Sequence, residues 1–367
     1  MGLYQSAFAL GVILQPLASL RLELLLPAVR GKNELQRLVR FSIWSQSICG
    51  AVVLAFFVVF ASLGEYNAGQ IAIMAGLIMI AYASMAIDNA LLVRHGAMRR
   101  LAARNLLTGL LTAGFQIAVA LSLPSILLLA ASILAGRSIA ILLTRQSRPS
   151  QPEPASEGAE NIRWSPGRAV YSILSGLASS ASLQGLTVYV TVGFGAAAAA
   201  SVGVAQRSAS APVALLSQGI SQYSQAKIAA ELRSGGAMAG AEIVKQIRGT
   251  LPIAIFVTIC LAVLGPLLSP VIFGSEWSAV GQIIALLAVP IGLQLLISPV
   301  MSVFVMLGQE RRLLAVQLAR LAVSLTGAVV AQLLVGDMMM SVLGFAIGTV
   351  IGYVVTFLAV WRLIRAH

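Results

Sequence analysis

The chain has 367 residues, of which 59% are hydrophobic and only 10% charged, and its mean hydropathy is +0.93. In soluble domains those shares are about half and about a quarter, so a soluble enzyme or binding module is excluded and an all-α polytopic membrane protein is expected. A formal net charge of +12 invites a nucleic-acid reading, but the basic residues are scattered over six separate loops and tails, which argues against one basic face.

A membrane-spanning helix needs about 20 mostly apolar residues. Eleven runs meet that length, at approximately residues 3–29, 41–63, 70–93, 101–123, 125–144, 169–191, 198–223, 250–273, 279–307, 313–335 and 340–361. The first run is too long and too polar at its flanks for a cleavable signal peptide. Cys49 and Cys260 both lie inside apolar runs, where they read as small packing residues rather than as a disulfide or a metal site. Pro16, Pro212, Pro252, Pro266, Pro290 and Pro299 mark helices that bend.

The first run opens with Gly2-Leu3-Tyr4-Gln5, and a related opening, Gly203-Val204-Ala205-Gln206, returns two hundred residues later. Each segment carries a proline in its middle and an arginine within it, and each gives way to basic polar residues. This pattern points to two copies of one architecture. Residues 31–40 and 224–249 follow the two copies at matching positions. The longer of them carries Lys227, Glu231, Arg233, Glu242, Lys245 and Arg248 around Gly235-Gly236, and reads either as two short interfacial amphipathic pieces or as a solvated loop.

Orientation follows from the basic residues. With Gly2 on the outer side, 20 of the 24 lysines and arginines fall on inner loops or on the C-terminal tail, and the outer loops contain none. That asymmetry supports both the number of spans and a cytoplasmic C-terminus. The Pro-, Ser- and Glu-rich stretch between Arg145 and Arg168 is a cytoplasmic linker that cannot bury an apolar face. The expected organisation is therefore an N-terminal five-helix bundle over residues 1–144, a linker over 145–168 and a C-terminal six-helix bundle over 169–367. Because the repeated opening lies on the first helix of one half and on the second helix of the other, the register implies a six-plus-six parent whose first helix is missing here.

Gly2-Leu3-Tyr4, Gly203-Val204-Ala205-Gln206-Arg207, Phe273-Gly274-Ser275-Glu276-Trp277 at an outer turn and Leu307-Gly308-Gln309-Glu310-Arg311 at an inner turn occur in an order and spacing that span nearly the whole chain. In these features the sequence resembles the polysaccharide and O-antigen flippases of the multidrug/oligosaccharidyl-lipid/polysaccharide exporter superfamily. The resemblance implies about eleven transmembrane helices in two pseudo-symmetric bundles (5 + 6), V-shaped around a central cavity. It also implies passage of a polyprenyl-pyrophosphate-linked glycan across a bacterial inner membrane by alternating access, without a cofactor. Membrane lipid, a coupling H+ or Na+, and glycan polymerase or export proteins are the implied partners.

Ionisable residues inside a membrane are costly and tend to face a cavity or one another. Arg21, Arg137 and Arg320 lie eight or nine residues from the nearest inner-loop cation, hence about 12 Å deep, whereas Arg207 sits in the outer half. Glu23 and Asp88 share the inner half. Four guanidiniums against two carboxylates make a basic cavity suited to an anionic pyrophosphate and unsuited to an organic cation. Alternatively, each arginine is a structural partner of Glu23, Asp88 or a helix carbonyl.

Asp88 is a candidate for ion coupling, or else pairs with Arg137 or Arg21, and Glu23 is a second coupling candidate. Arg21 and Glu23, two residues apart on one helix, are about 200° apart and are not expected to pair. Among many intramembrane glutamines, Gln206 and Gln222 are the candidates for reading glycan hydroxyls. No metal spacing or nucleophile accompanies the two histidines, His95 and His367, and the longest outer loop is about six residues, so a glycan polymerase or ligase is disfavoured. A multidrug or cation antiporter of the same superfamily and a truncated, non-catalytic membrane component are the rival readings.

Overall fold

The computed structural model describes residues 2–27, 29, 32–122, 125–144, 166–234, 239–306 and 308–366. Ten α-helices follow one another: α1 (Gly2–Ser19), α2 (Lys32–Ser62), α3 (Tyr66–Arg94), α4 (Met98–Ser122), α5 (Ile126–Leu143), α6 (Pro166–Ser234), α7 (Ala239–Phe273), α8 (Ser278–Met306), α9 (Glu310–Val335) and α10 (Met338–Ala366). Gly195, at φ 85° and ψ 175°, breaks α6 into two arms, α6a before it and α6b after it. A side chain at that φ would be strained, so glycine is the residue that permits the kink. Eleven helical segments and no strand thus occur among the described residues, and the protein is an all-α, multi-pass membrane protein.

Nine of these segments are long and apolar enough to cross a bilayer. The two that fall short are α1 and α6b, which carry the repeated Gly-x-x-Gln opening. Gln5 and Gln15 dilute α1, and Gln206, Arg207, Gln218 and Gln222 dilute α6b. The expected first span over residues 3–29 is not one helix: α1 stops at Ser19, Leu20 and Arg21 take left-handed backbone conformations (φ 52° and 54°), and a short 3-10 turn covers Leu22–Leu24.

The inner stretches are also more regular than the sequence implies. Residues 224–234 continue α6b without a break, and residues 32–40 are the first turns of α2. Neither is a separate interfacial piece. The Ser224 hydroxyl donates to Gln246 Oε1 and ties the end of α6b to α7, and the Lys227 ammonium lies 4.9 Å from the centre of the Tyr223 ring. Gly235-Gly236 and residues 145–165 of the expected linker lie outside the described residues.

Contacts divide the chain into two compact units, one formed chiefly by residues 3–177 and the other chiefly by residues 178–231 and 236–367. In the first unit Tyr4 and Ala7 of α1, Met74, Ile78 and Ala81 of α3, and Ala130 and Ile133 of α5 form a buried cluster. A smaller cluster joins Ala18 to Met79 and Ala83, with Cys49 and Val53 of α2 against it. The most apolar stretch of α2 buries no residue, and Trp44, Ile48 and Phe56 are exposed, as expected of a helix facing lipid.

The second unit is built around a larger core that includes Leu186, Val202, Val213, Ile283, Leu295 and Phe345. Within it α9 and α10 meet through glycines. Gly344, Gly348 and Gly352, spaced by four on α10, place their Cα atoms against Gly327, Val323 and Arg320 of α9. Without an aqueous hydrophobic effect between helices, such close backbone approach supplies much of their attraction. Thr349 adds a hydrogen bond across the seam, donating to Ser324 Oγ at 3.0 Å.

Candidate functional site

In the first unit the expected site residues fall into three groups. Arg137 on α5 lies 3.5 Å over the Tyr82 ring of α3, and one of its terminal nitrogens donates to Met85 Sδ at 3.0 Å. Tyr82 in turn meets Phe8 of α1 edge-on, with ring centres 6.1 Å apart. The cation is therefore held in the membrane by an aromatic face and a thioether, neither of which neutralises it. Its Nε is buried without a hydrogen-bond partner. Arg137 does not pair with Asp88.

Asp88 has Arg104 of α4 as an electrostatic neighbour. Read along the sequence, Arg104 belongs to a cationic inner loop. The structure buries it to 2% exposure, one and a half turns inside α4, where Nε donates to Thr144 Oγ1 at 2.7 Å and a terminal nitrogen reaches Asn89 Oδ1 at 3.4 Å. Asn89 also donates to Asn105 Oδ1 at 3.3 Å, completing a polar network that joins α3, α4 and the end of α5.

Arg21 and Glu23 form the third group. The helical geometry that would hold them apart is absent, because the chain is left-handed at Leu20 and Arg21 before the 3-10 turn. Glu23 is an electrostatic neighbour of Arg21, yet Arg21 Nε and Glu23 Oε2 are both buried without a hydrogen-bond partner. The Arg21 side chain lies beside Gly176 of α6a, where an added Cβ would come within 3.0 Å of Arg21 Cδ and Nε and 2.8 Å of Pro16 Cβ. The cation that serves this broken stretch is Arg94, another residue that reads as a loop charge. It is 6% exposed and donates to the backbone carbonyls of Leu26, at 3.2 Å, and Val29.

In the second unit Arg320 of α9 is 4% exposed and reaches α6a, donating from one nitrogen to the Ser179 carbonyl and hydroxyl, both at 3.3 Å. It lies 5.0 Å from the centre of the Tyr353 ring of α10, and Gly352 leaves room for its stem. Arg320 thus bridges three helices, and its Nε is buried without a hydrogen-bond partner. Gln206 is likewise engaged: its carbonyl accepts from the Thr187 hydroxyl at 2.6 Å and its amide donates to the Leu183 carbonyl at 3.3 Å, so it fastens α6b to α6a. Arg207 and Gln222 are half-buried on α6b.

The guanidiniums of Arg21, Arg104, Arg137, Arg207 and Arg320, at or within these helices, outnumber the carboxylates of Glu23 and Asp88 set among them. The fold of this all-α, multi-pass chain is similar to the folds of solved MATE transporters. The fold agrees with a MATE described in the straight conformation (TM-score 0.66, 16% identity, covering 100% of this chain and 86% of that one). It is also similar to an outward-facing multidrug resistance MATE family transporter of the MOP superfamily (TM-score 0.63, 17% identity, 100% and 85% covered). A third match is a MOP superfamily transporter from Pyrococcus furiosus described by a reversed polarity of its binding pocket (TM-score 0.64, 18% identity, 100% and 86% covered). No curated protein sequence matches the chain. Residues 30–282 match the family model described as polysaccharide biosynthesis protein, and the chain belongs to that family, in keeping with the resemblance its motifs carry.

Proposed function

We propose that the chain is a flippase that moves a polyprenyl-pyrophosphate-linked oligosaccharide across the bacterial inner membrane by alternating access, for O-antigen or exopolysaccharide assembly. The observation that carries this reading is the excess of guanidinium over carboxylate within the helices, and Arg137 in particular. A cation stacked on Tyr82 and bonded to a thioether keeps its charge for an incoming anion, and guanidinium binds phosphate oxygens through paired hydrogen bonds. Arg207 receives the same headgroup from the outer half, while the prenyl tail stays in lipid. An organic cation would be repelled by this charge, which disfavours a drug antiporter. The description of the Pyrococcus furiosus transporter, whose pocket polarity suggested a different function, offers a parallel within the fold.

Asp88 beside Arg104 and Glu23 beside Arg21 are the carboxylates that would couple transport to H+ or Na+. The positive-inside pattern favours a cytoplasmic C-terminus. Glycan polymerase and export proteins are the partners that would consume the product.

Complementation of a bacterial strain lacking its own polysaccharide flippase tests the proposal, with surface glycan read on a gel and insertion checked by blot. Wild type is expected to restore glycan, Arg137→Ala to abolish it while still inserting, and Arg137→Lys to restore it in part, because lysine keeps the charge but not the planar fork. Absence of glycan in strains offering several repeat units, together with resistance to cationic compounds, would replace the flippase reading with the antiporter.

A further inference from the structure

The end of the first membrane segment poses a problem that the fold must solve. Where α1 stops, Leu20 and Arg21 are left-handed and only the short turn Leu22–Leu24 follows, with Leu24, Leu25 and Leu26 amides returning to the carbonyls of Arg21 and Leu22. The carbonyls of Leu26 and Val29 are both met by a side chain. Leu22, Leu25, Leu26 and Val29 are all buried apolar residues, so water is not at hand to serve these oxygens. An unsatisfied carbonyl in such surroundings costs several kcal/mol, and broken membrane helices commonly answer with a bound cation on the unwound carbonyls.

Here the cation is supplied by the chain. Arg94, the last residue of α3, is 6% exposed, and one terminal nitrogen of its guanidinium donates to both oxygens. We propose that Arg94 is a tethered cation filling a carbonyl site made by the broken end of the first segment, and that it is the positioning residue which holds the Arg21–Glu23 stretch in its left-handed and 3-10 conformation. A planar cation that reaches two carbonyls at once suits the site better than a spherical ion, and the covalent tether keeps it filled at any salt concentration.

The test is chemical rescue of the full-length protein in detergent. Amide hydrogen exchange over residues 22–27 is followed in wild type, Arg94→Ala and Arg94→Lys, with and without guanidinium chloride at a sub-denaturing level or sodium chloride at equal ionic strength. Removing the guanidinium is expected to speed exchange in this stretch by roughly tenfold or more, since two buried acceptors lose their donor, and to leave residues 75–90 of α3 unchanged. Free guanidinium is expected to restore protection in Arg94→Ala and to leave wild type unaffected, with sodium chloride giving no recovery. Unchanged exchange in the alanine variant, an equal response of wild type to guanidinium, or recovery with sodium chloride overturns the proposal. If Arg94→Ala does not fold, Arg94→Lys decides. It is expected to lose protection in residues 22–27 alone, and the proposal fails if exchange there matches wild type.

Discussion

Replacing Gly348 by alanine isolates the contact on which the α9/α10 pair depends. An added Cβ would lie against the Val323 carbonyl, 2.8 Å from Ser324 Cα and 2.9 Å from Val323 C, where ordinary contact begins at 3.4 Å. These neighbours are backbone and cannot rotate away, so the two helices must part by about 1 Å, forfeiting contact along the seam. Overpacking of this kind costs about 1–3 kcal/mol, and the gain from alanine over glycine in a helix offsets at most about 1 kcal/mol of it. With that offset taken in full, the net loss is up to about 2 kcal/mol. It also strains the bond between Thr349 and Ser324 and the seat of Arg320 against Gly352. Gly114 on α4 is the matched control, because a Cβ there meets nothing within 4 Å and alanine is expected to be neutral or slightly stabilising. Thermal unfolding of the purified protein in detergent, followed by tryptophan fluorescence, should show Gly348→Ala melting a few degrees below wild type and Gly114→Ala level with it or above. Equal midpoints for the two variants would refute the close-packing argument.

Two further predictions separate structural from functional roles. Asp88→Asn and Arg104→Gln should each lower thermal stability, and the double variant should lose less than the two single losses together, because the residues interact. Strict additivity in a double-mutant cycle would show that they do not act as a pair. Gln206→Ala should cost about 1 kcal/mol of stability through its lost bonds to Thr187 and Leu183 and still restore surface glycan, whereas loss of glycan at unchanged stability would return Gln206 to the substrate site.

The glycine seam was within reach of sequence reasoning. Gly344, Gly348 and Gly352 stand four apart in an apolar run, the spacing that lets membrane helices touch, yet attention to charged residues passes it by. The two buried arginines were not within reach in the same way. Arg94 and Arg104 flank an inner turn, where positive residues are expected for topological reasons alone, and nothing local distinguishes a guanidinium facing water from one turned back onto Leu26, Val29 or Thr144.

What the sequence determined by itself is the membrane class, the helical segments and the two repeated polar helices, because hydropathy over about 20 residues and the placement of lysine and arginine are local properties that the bilayer reads directly. Only the tertiary structure decided which partners each of these cations meets. It set Arg137 on Tyr82, Arg104 against Asp88, Arg320 between Ser179 and Tyr353, and broke the first span at Leu20 and Arg21. Those outcomes depend on partners on other helices, sixteen or more residues away along the chain, and no periodicity within one helix encodes them.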